Sequence, residues 1–120
     1  MEKRNFYRTP VHGGLSTDLL LEGHPYSAAR VTDIGLRGCC VQLPTTSAAH
    51  LKDHAPIDNL QLSGVRDDLY TLKARIAWYD LPKAGQDAWI RTGIEFLDTP
   101  DACAREIREL VAEGMSYWDH

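Results

Sequence analysis

Apolar and polar residues alternate along most of this chain, and the alternation stops at turn-forming residues. In "LSTDLLLEG", Leu15, Thr17, Leu19 and Leu21 fall on one face of a period-two pattern, which predicts a half-buried strand; Leu20 on the other face weakens it. Glu22-Gly23-His24-Pro25 reads as a turn, with a returning strand expected around Ala28 to Thr32. "CCVQLP" is a third short strand, closed by Pro44. "TTSAAHLKDHAPI" holds either one helical turn ending before Pro56 or a long loop. In "IDNLQLSG", Ile57, Leu60 and Leu62 alternate imperfectly before the break at Gly64. "LYTLKARIAWYD" carries the clearest strand pattern, with Tyr70, Leu72, Ala74, Ile76 and Trp78 on one parity and Thr71, Lys73, Arg75 and Ala77 on the other. After the turn "LPKAGQD", "AWIRTGIEFLD" is its partner, with Gly93 as a bulge or close-approach point.

The end of the chain changes period. Thr99 suits a helix N-cap and Pro100 the first helical position. Cys103, Ile107, Leu110 and Val111 then share one helical face, and Gly114 is the expected stop. The aromatics of "MSYWDH" suit a tail that packs back. Short strands joined by turns, then one amphipathic helix, predict an all-β fold: a small antiparallel barrel or sandwich with a C-terminal α-helix against it. A barrel is favoured, because closure removes the edges so small a sheet would otherwise expose.

Composition narrows the functional classes. A chain of 120 residues is one domain with a real core. A formal charge of -4 argues against a basic face for non-specific nucleic-acid binding, so DNA is not an expected partner. No apolar run approaches the roughly 20 residues of a membrane span, and the N-terminus lacks an apolar signal-peptide region. No membrane insertion and a cytoplasmic location are expected. Cys39 and Cys40 are strand neighbours on opposite faces and Cys103 is isolated, so reduced, apolar cysteines are expected rather than a disulfide framework.

Nothing in the chain forms a catalytic pattern. Neither Cys39 nor Cys40 is linked to a particular His, as nucleophilic catalysis needs. His50 and His54 stand at i and i+4 around Asp53, but no Glu stands in a catalytic position, and a solvated loop is the expected reading. His12, His24 and His120 lie at turns or the terminus. The chain is expected to be neither an enzyme nor a metal protein.

Two stretches carry candidate chemistry. "EKRNFYR" puts Lys3, Arg4 and Arg8 around two aromatics at the start of an acidic chain. "DIGLRG", at a strand end, offers the Asp33 carboxylate, the Arg37 fork and two glycines, Gly35 and Gly38, that allow close approach of a ligand or positive φ. Arginine grips phosphate bidentately and bonds the Hoogsteen edge of guanine, while a carboxylate complements the N–H donors of guanine's Watson–Crick edge. A metal-free guanine nucleotide carrying phosphate suits such a pair of stretches.

In that order the stretches resemble the two motifs of PilZ domains. Arg4-Asn5-Phe6-Tyr7-Arg8 matches RxxxR, and Asp33 to Gly38 resembles D/N-x-S-x-x-G, with Gly35 in place of the motif serine. "ARIAWYD" and "RTGIEFLD" look like the family's penultimate strand pair before its helix. The resemblance covers essentially the whole chain. It implies a six-stranded antiparallel β-barrel with a C-terminal α-helix: an N-terminal arm over residues 1–14, the barrel and helix over 15–114, and a tail over 115–120. It also implies a stand-alone receptor for cyclic di-GMP (c-di-GMP) that orders its arm on binding and signals through an effector protein. Arg4 and Arg8 would then grip phosphate and guanine, Asp33 would accept from a guanine, and the turn from Gly35 to Gly38 would supply backbone contacts. Lys3 would influence whether one ligand or an intercalated pair binds. Trp78 is a candidate stacking surface at the barrel rim, or alternatively a core aromatic of its strand. The missing serine hydroxyl points to the alternative: a PilZ-fold adaptor that binds protein and no nucleotide.

Overall fold

The computed structural model describes residues 8–10, 15–65, 68–82 and 89–118. Its strands are β1 (Arg8–Pro10), β2 (Ser16–Leu21), β3 (His24–Gly35), β4 (Gly38–Pro44), β5 (Pro56–Val65), β6 (Asp68–Asp80) and β7 (Trp89–Asp98). A short 3-10 helix, Thr45–His50, follows β4, and helix α1, Asp101–Trp118, ends the described chain. All pairings are antiparallel, and β2-β3-β4-β7-β6-β5 closes into a six-stranded barrel by pairing β5 with β2. β1 lies outside this ring. It continues the lane of β2 along β3, whose first half pairs with β2 and whose last three residues pair with β1. Part of the stretch assigned to the arm is therefore a strand.

The alternation seen in the sequence fills the barrel. Leu15, Thr17, Leu19 and Leu21 are all buried, as their parity predicts, and Leu20 is exposed. Ile90, Thr92, Ile94 and Phe96 of β7 face inward in the same way. Breaks in the alternation coincide with β-bulges. Between Ile57 and Leu60 the register with β6 shifts, and both leucine and isoleucine stay inside. An added residue restores the buried parity that an unbulged strand would lose.

The β2–β3 connection is a two-residue turn with Glu22 at φ 51 and Gly23 at φ 82, the paired positive angles of a type I′ hairpin. At the other end, α1 presents Cys103, Ile107 and Val111 to the core and lies against β1, β3 and β5. The Ala104 N–H donates to the Pro100 carbonyl at 2.9 Å, so the helix begins one residue beyond the expected start. It also runs through Gly114, the expected stop, to Trp118. An interior glycine costs a helix only about 1 kcal/mol and does not by itself end one. The three cysteines are buried. Burial, then the Glu106 charge, pushes the Cys103 thiol up to about 11. Among the described residues, no helix is long and apolar enough to cross a membrane.

Candidate ligand-binding face

Two bulges determine which way the candidate residues face. Strict alternation from buried Val31 would turn Asp33 into the core. Instead the β3–β4 register shifts between Val31 and Asp33, and the hydroxyl of the intervening Thr32 donates to the Cys40 carbonyl at 3.2 Å. Asp33 comes to the outer face, half-buried, and Ile34 returns to the core. On β6 the register with β7 shifts between Ile76 and Trp78, with Ala77 as the extra residue. Trp78 thereby leaves the parity of Leu72, Ala74 and Ile76 and lies outside, half-buried against Gly93. The core reading of Trp78 is thus corrected: the bulge, which parity counting cannot detect, moves it off the core.

Gly93 is a close-approach point as expected, because a Cβ there would run into the indole ring of Trp78. At Gly38 a Cβ would run into the Ile94 carbonyl oxygen, so this glycine serves the contact between β4 and β7. Gly35 and Gly38 do not take up the positive φ considered for them; among the described residues the glycine at positive φ is Gly23.

Continuous pairing lines residues up across four or five strands. Pro10, Asp33, Cys40, Gly93 and Trp78 form one row. Two residues along lies a second: Arg8, Gly35, Gly38, Glu95 and Arg75. A third, on the other side, holds Arg30, Gln42, Arg91 and Asp80. Residues two apart on a strand, or three apart across a bulge as in Arg30 and Asp33 or Arg75 and Trp78, share a face, so these rows form one surface. At about 4.8 Å per strand, Asp33 and Trp78 stand about 14 Å apart across a floor of glycine and cysteine. Lys3 and Arg4 lie outside the described residues. For Arg8 the backbone is described, and it pairs with Gly35.

The face carries charges that the sequence analysis did not single out. The Arg75 Nε–H donates to Glu95 Oε1 at 2.5 Å, between directly opposed residues of β6 and β7. The Arg91 guanidinium carbon lies 5.8 Å from the Trp78 ring centroid, and its Nη1 is 3.9 Å from Asp80 Oδ2. Arg75 was visible as a polar-parity residue, but its partner depends on the β6–β7 register. The carbonyl of Arg37 accepts the Phe96 N–H at 2.8 Å, which ties the β3–β4 turn to β7.

His50 departs from the solvated-loop expectation. It is half-buried, stacks on His24 with ring centroids 4.0 Å apart, and its Nδ1 lies 3.2 Å from Glu22 Oε1. Lys52 donates to the other Glu22 oxygen at 2.6 Å. That hydrogen bond, then the one from His50, holds the Glu22 carboxyl below its ordinary range, and Lys52 is raised in turn. His54 takes no part: its backbone N–H bonds the Ile76 carbonyl at 3.0 Å. Among the described residues, no group of three potential ligands is placed to hold a metal.

Comparison with known proteins places this architecture. No protein-family model matches the sequence. No characterised protein matches it either. Solved structures do resemble the fold. MrkH of K. pneumonia in complex with c-di-GMP superimposes with a TM-score of 0.79 at 14% identity, over 99% of this chain and 55% of MrkH. The PilZ domain of YcgR from Escherichia coli, with c-di-GMP, gives 0.70 at 16%, over 97% of this chain and 94% of that domain. The Bacillus subtilis inhibitor of motility MotI gives 0.74 at 10%, over 94% of this chain and 51% of MotI. This chain spans about half the length of MrkH and MotI. It has the PilZ-domain fold, a closed six-stranded antiparallel barrel with a C-terminal helix.

Proposed function

We propose that this chain is a c-di-GMP receptor, with its outer barrel face as the binding site, and that it signals through a protein partner. The observation that carries the reading is the convergence of the two sequence motifs: the Arg8 backbone pairs with Gly35, while the β3 bulge turns Asp33 onto the face that also holds Trp78. Arg4 and Arg8 grip phosphate and guanine, Asp33 accepts from a guanine, and Trp78 offers a stacking surface worth about 1–3 kcal/mol per base. Arg75, oriented by Glu95, adds a guanidinium at the far end of the Gly35–Gly38 row. Support also comes from the fold shared with MrkH and YcgR, whose structures hold c-di-GMP. No catalytic step is part of the reading.

Gly35 lowers the expected affinity. A net hydrogen bond is worth about 0.5–1.5 kcal/mol, or about 3 when charge-assisted. Its loss weakens binding by several-fold to about a hundredfold. It is also the observation that favours the second reading, an adaptor of the same fold that binds no nucleotide.

Calorimetric titration of c-di-GMP, with GTP as control and Arg8→Ala and Arg75→Ala beside the wild type, separates the two. The receptor predicts saturable binding with about one or two ligands per chain, loss in Arg8→Ala, and about tenfold weakening in Arg75→Ala. No heat at high c-di-GMP concentration makes the adaptor correct. Ordering of the arm on binding predicts slower hydrogen exchange in residues 1–14 at saturation; unchanged exchange refutes that switch.

A further inference from the structure

We propose that the groove between β3 and the ends of β4 and β7 docks an extended acidic segment of a partner protein, which adds as a short strand along β3. The groove arises from a failure of pairing. β3 pairs with β4 only as far as Arg30 opposite Gln42, so continuation would set Ala28 opposite Pro44. Pro44 has no N–H to donate, and its pairing with Trp89 of β7 lies on the other edge of β4. Ala28 sits in a bulge at φ 55, with its N–H donating to Asp18 Oδ1 at 2.7 Å. The strands splay and leave a groove of about 550 Å³. Among the described residues, no strand pairs with this stretch of β3 on the side of β4.

Three features define the occupant. An unpaired strand edge takes an extended chain through main-chain hydrogen bonds, with alternate side chains entering the groove. Tyr26 and Trp89 line it, and Trp89, an aromatic anchor, is 51% exposed. Among the described residues of the lining, Arg30 is the one that carries charge. Charge complementarity selects a carboxylate for Arg30 and an apolar side chain for the space between Tyr26 and Trp89. Arg30 also belongs to the row of Gln42 and Arg91, beside Trp78, so the groove adjoins the candidate ligand face. Docking here goes beyond the receptor reading and holds with or without nucleotide.

The test therefore runs in the absence of nucleotide. A random heptapeptide phage library is panned on the full chain, with counter-selection on Trp89→Ala, and enriched peptides are titrated into wild type, Trp89→Ala and Arg30→Glu. Both substituted side chains are exposed, and circular dichroism checks that the variants fold. The proposal expects peptides with an acid near an apolar residue, affinity lowered about tenfold or more in each variant, and amide shifts centred on residues 26–30. Absence of enrichment over the counter-selection overturns it. So do peptides that lack an acid, that bind both variants as well as wild type, or whose shifts map elsewhere.

Discussion

Gly93→Ala tests the link between the β6 bulge and the placement of Trp78. A Cβ at position 93 would collide with the indole Nε1 and Cε2, so the ring must swing off the strand. If that re-exposes about a third of the roughly 200 Å² an aromatic side chain buries, the loss is about 1.5 kcal/mol at about 25 cal/mol per Å². Against it, alanine loses less backbone freedom on folding than glycine, a gain of roughly 0.5–1 kcal/mol in a strand. The net expectation is destabilisation by about 0.5–1 kcal/mol in wild type. In a Trp78→Ala background there is no ring to displace, so the same substitution should stabilise by about 0.5–1 kcal/mol. Urea denaturation of wild type, both single variants and the double variant closes the cycle, with a coupling energy of about 1.5 kcal/mol. A Gly93→Ala effect of the same sign and size in both backgrounds would refute the packing of Trp78 on Gly93.

Other substitutions probe the strained and buried groups. Asp18→Ala removes the acceptor for the exposed Ala28 N–H and should cost about 0.5–1.5 kcal/mol in denaturant unfolding, whereas Ala28→Gly relieves a left-handed residue and should be neutral or stabilising by up to about 1 kcal/mol. The Glu22 carboxyl is depressed below its ordinary 4.5, so its contribution is present above that pH and is lost as pH falls through the folded value. The melting-temperature gap between wild type and Glu22→Gln, which keeps the side-chain shape at φ 51, should therefore close as pH falls below 4.5; a gap independent of pH refutes the ion pair. Cys103, buried and with its thiol pushed up to about 11, should resist alkylation in the folded protein at about pH 8 and react at the rate of opening in denaturant. Rapid labelling of Cys103 without denaturant would show that α1 does not hold it in the core.

Much of the fold was legible because one physical regularity decides it. Strand residues two apart share a face, so Leu15, Thr17, Leu19 and Leu21 identify a buried parity without reference to any other strand, and Cys103, Ile107 and Val111 do the same for the helix. The two motifs were legible as chemistry, since arginines, a carboxylate and glycines at those positions suit a guanine nucleotide whatever the fold. Only tertiary structure decided how they are presented. A bulge adds one residue against a partner strand and reverses parity beyond it, and its position depends on two registers at once. Trp78 read locally as a core residue and Asp33 gave no sign of its direction, yet each is turned outward by the residue before it, Ala77 and Thr32. The pairing of Arg8 with Gly35, the Arg75–Glu95 bond and the groove beside Pro44 likewise depend on strand register: each is decided by which residues stand opposite once bulges and the end of pairing are fixed, and spacing along the chain does not specify that.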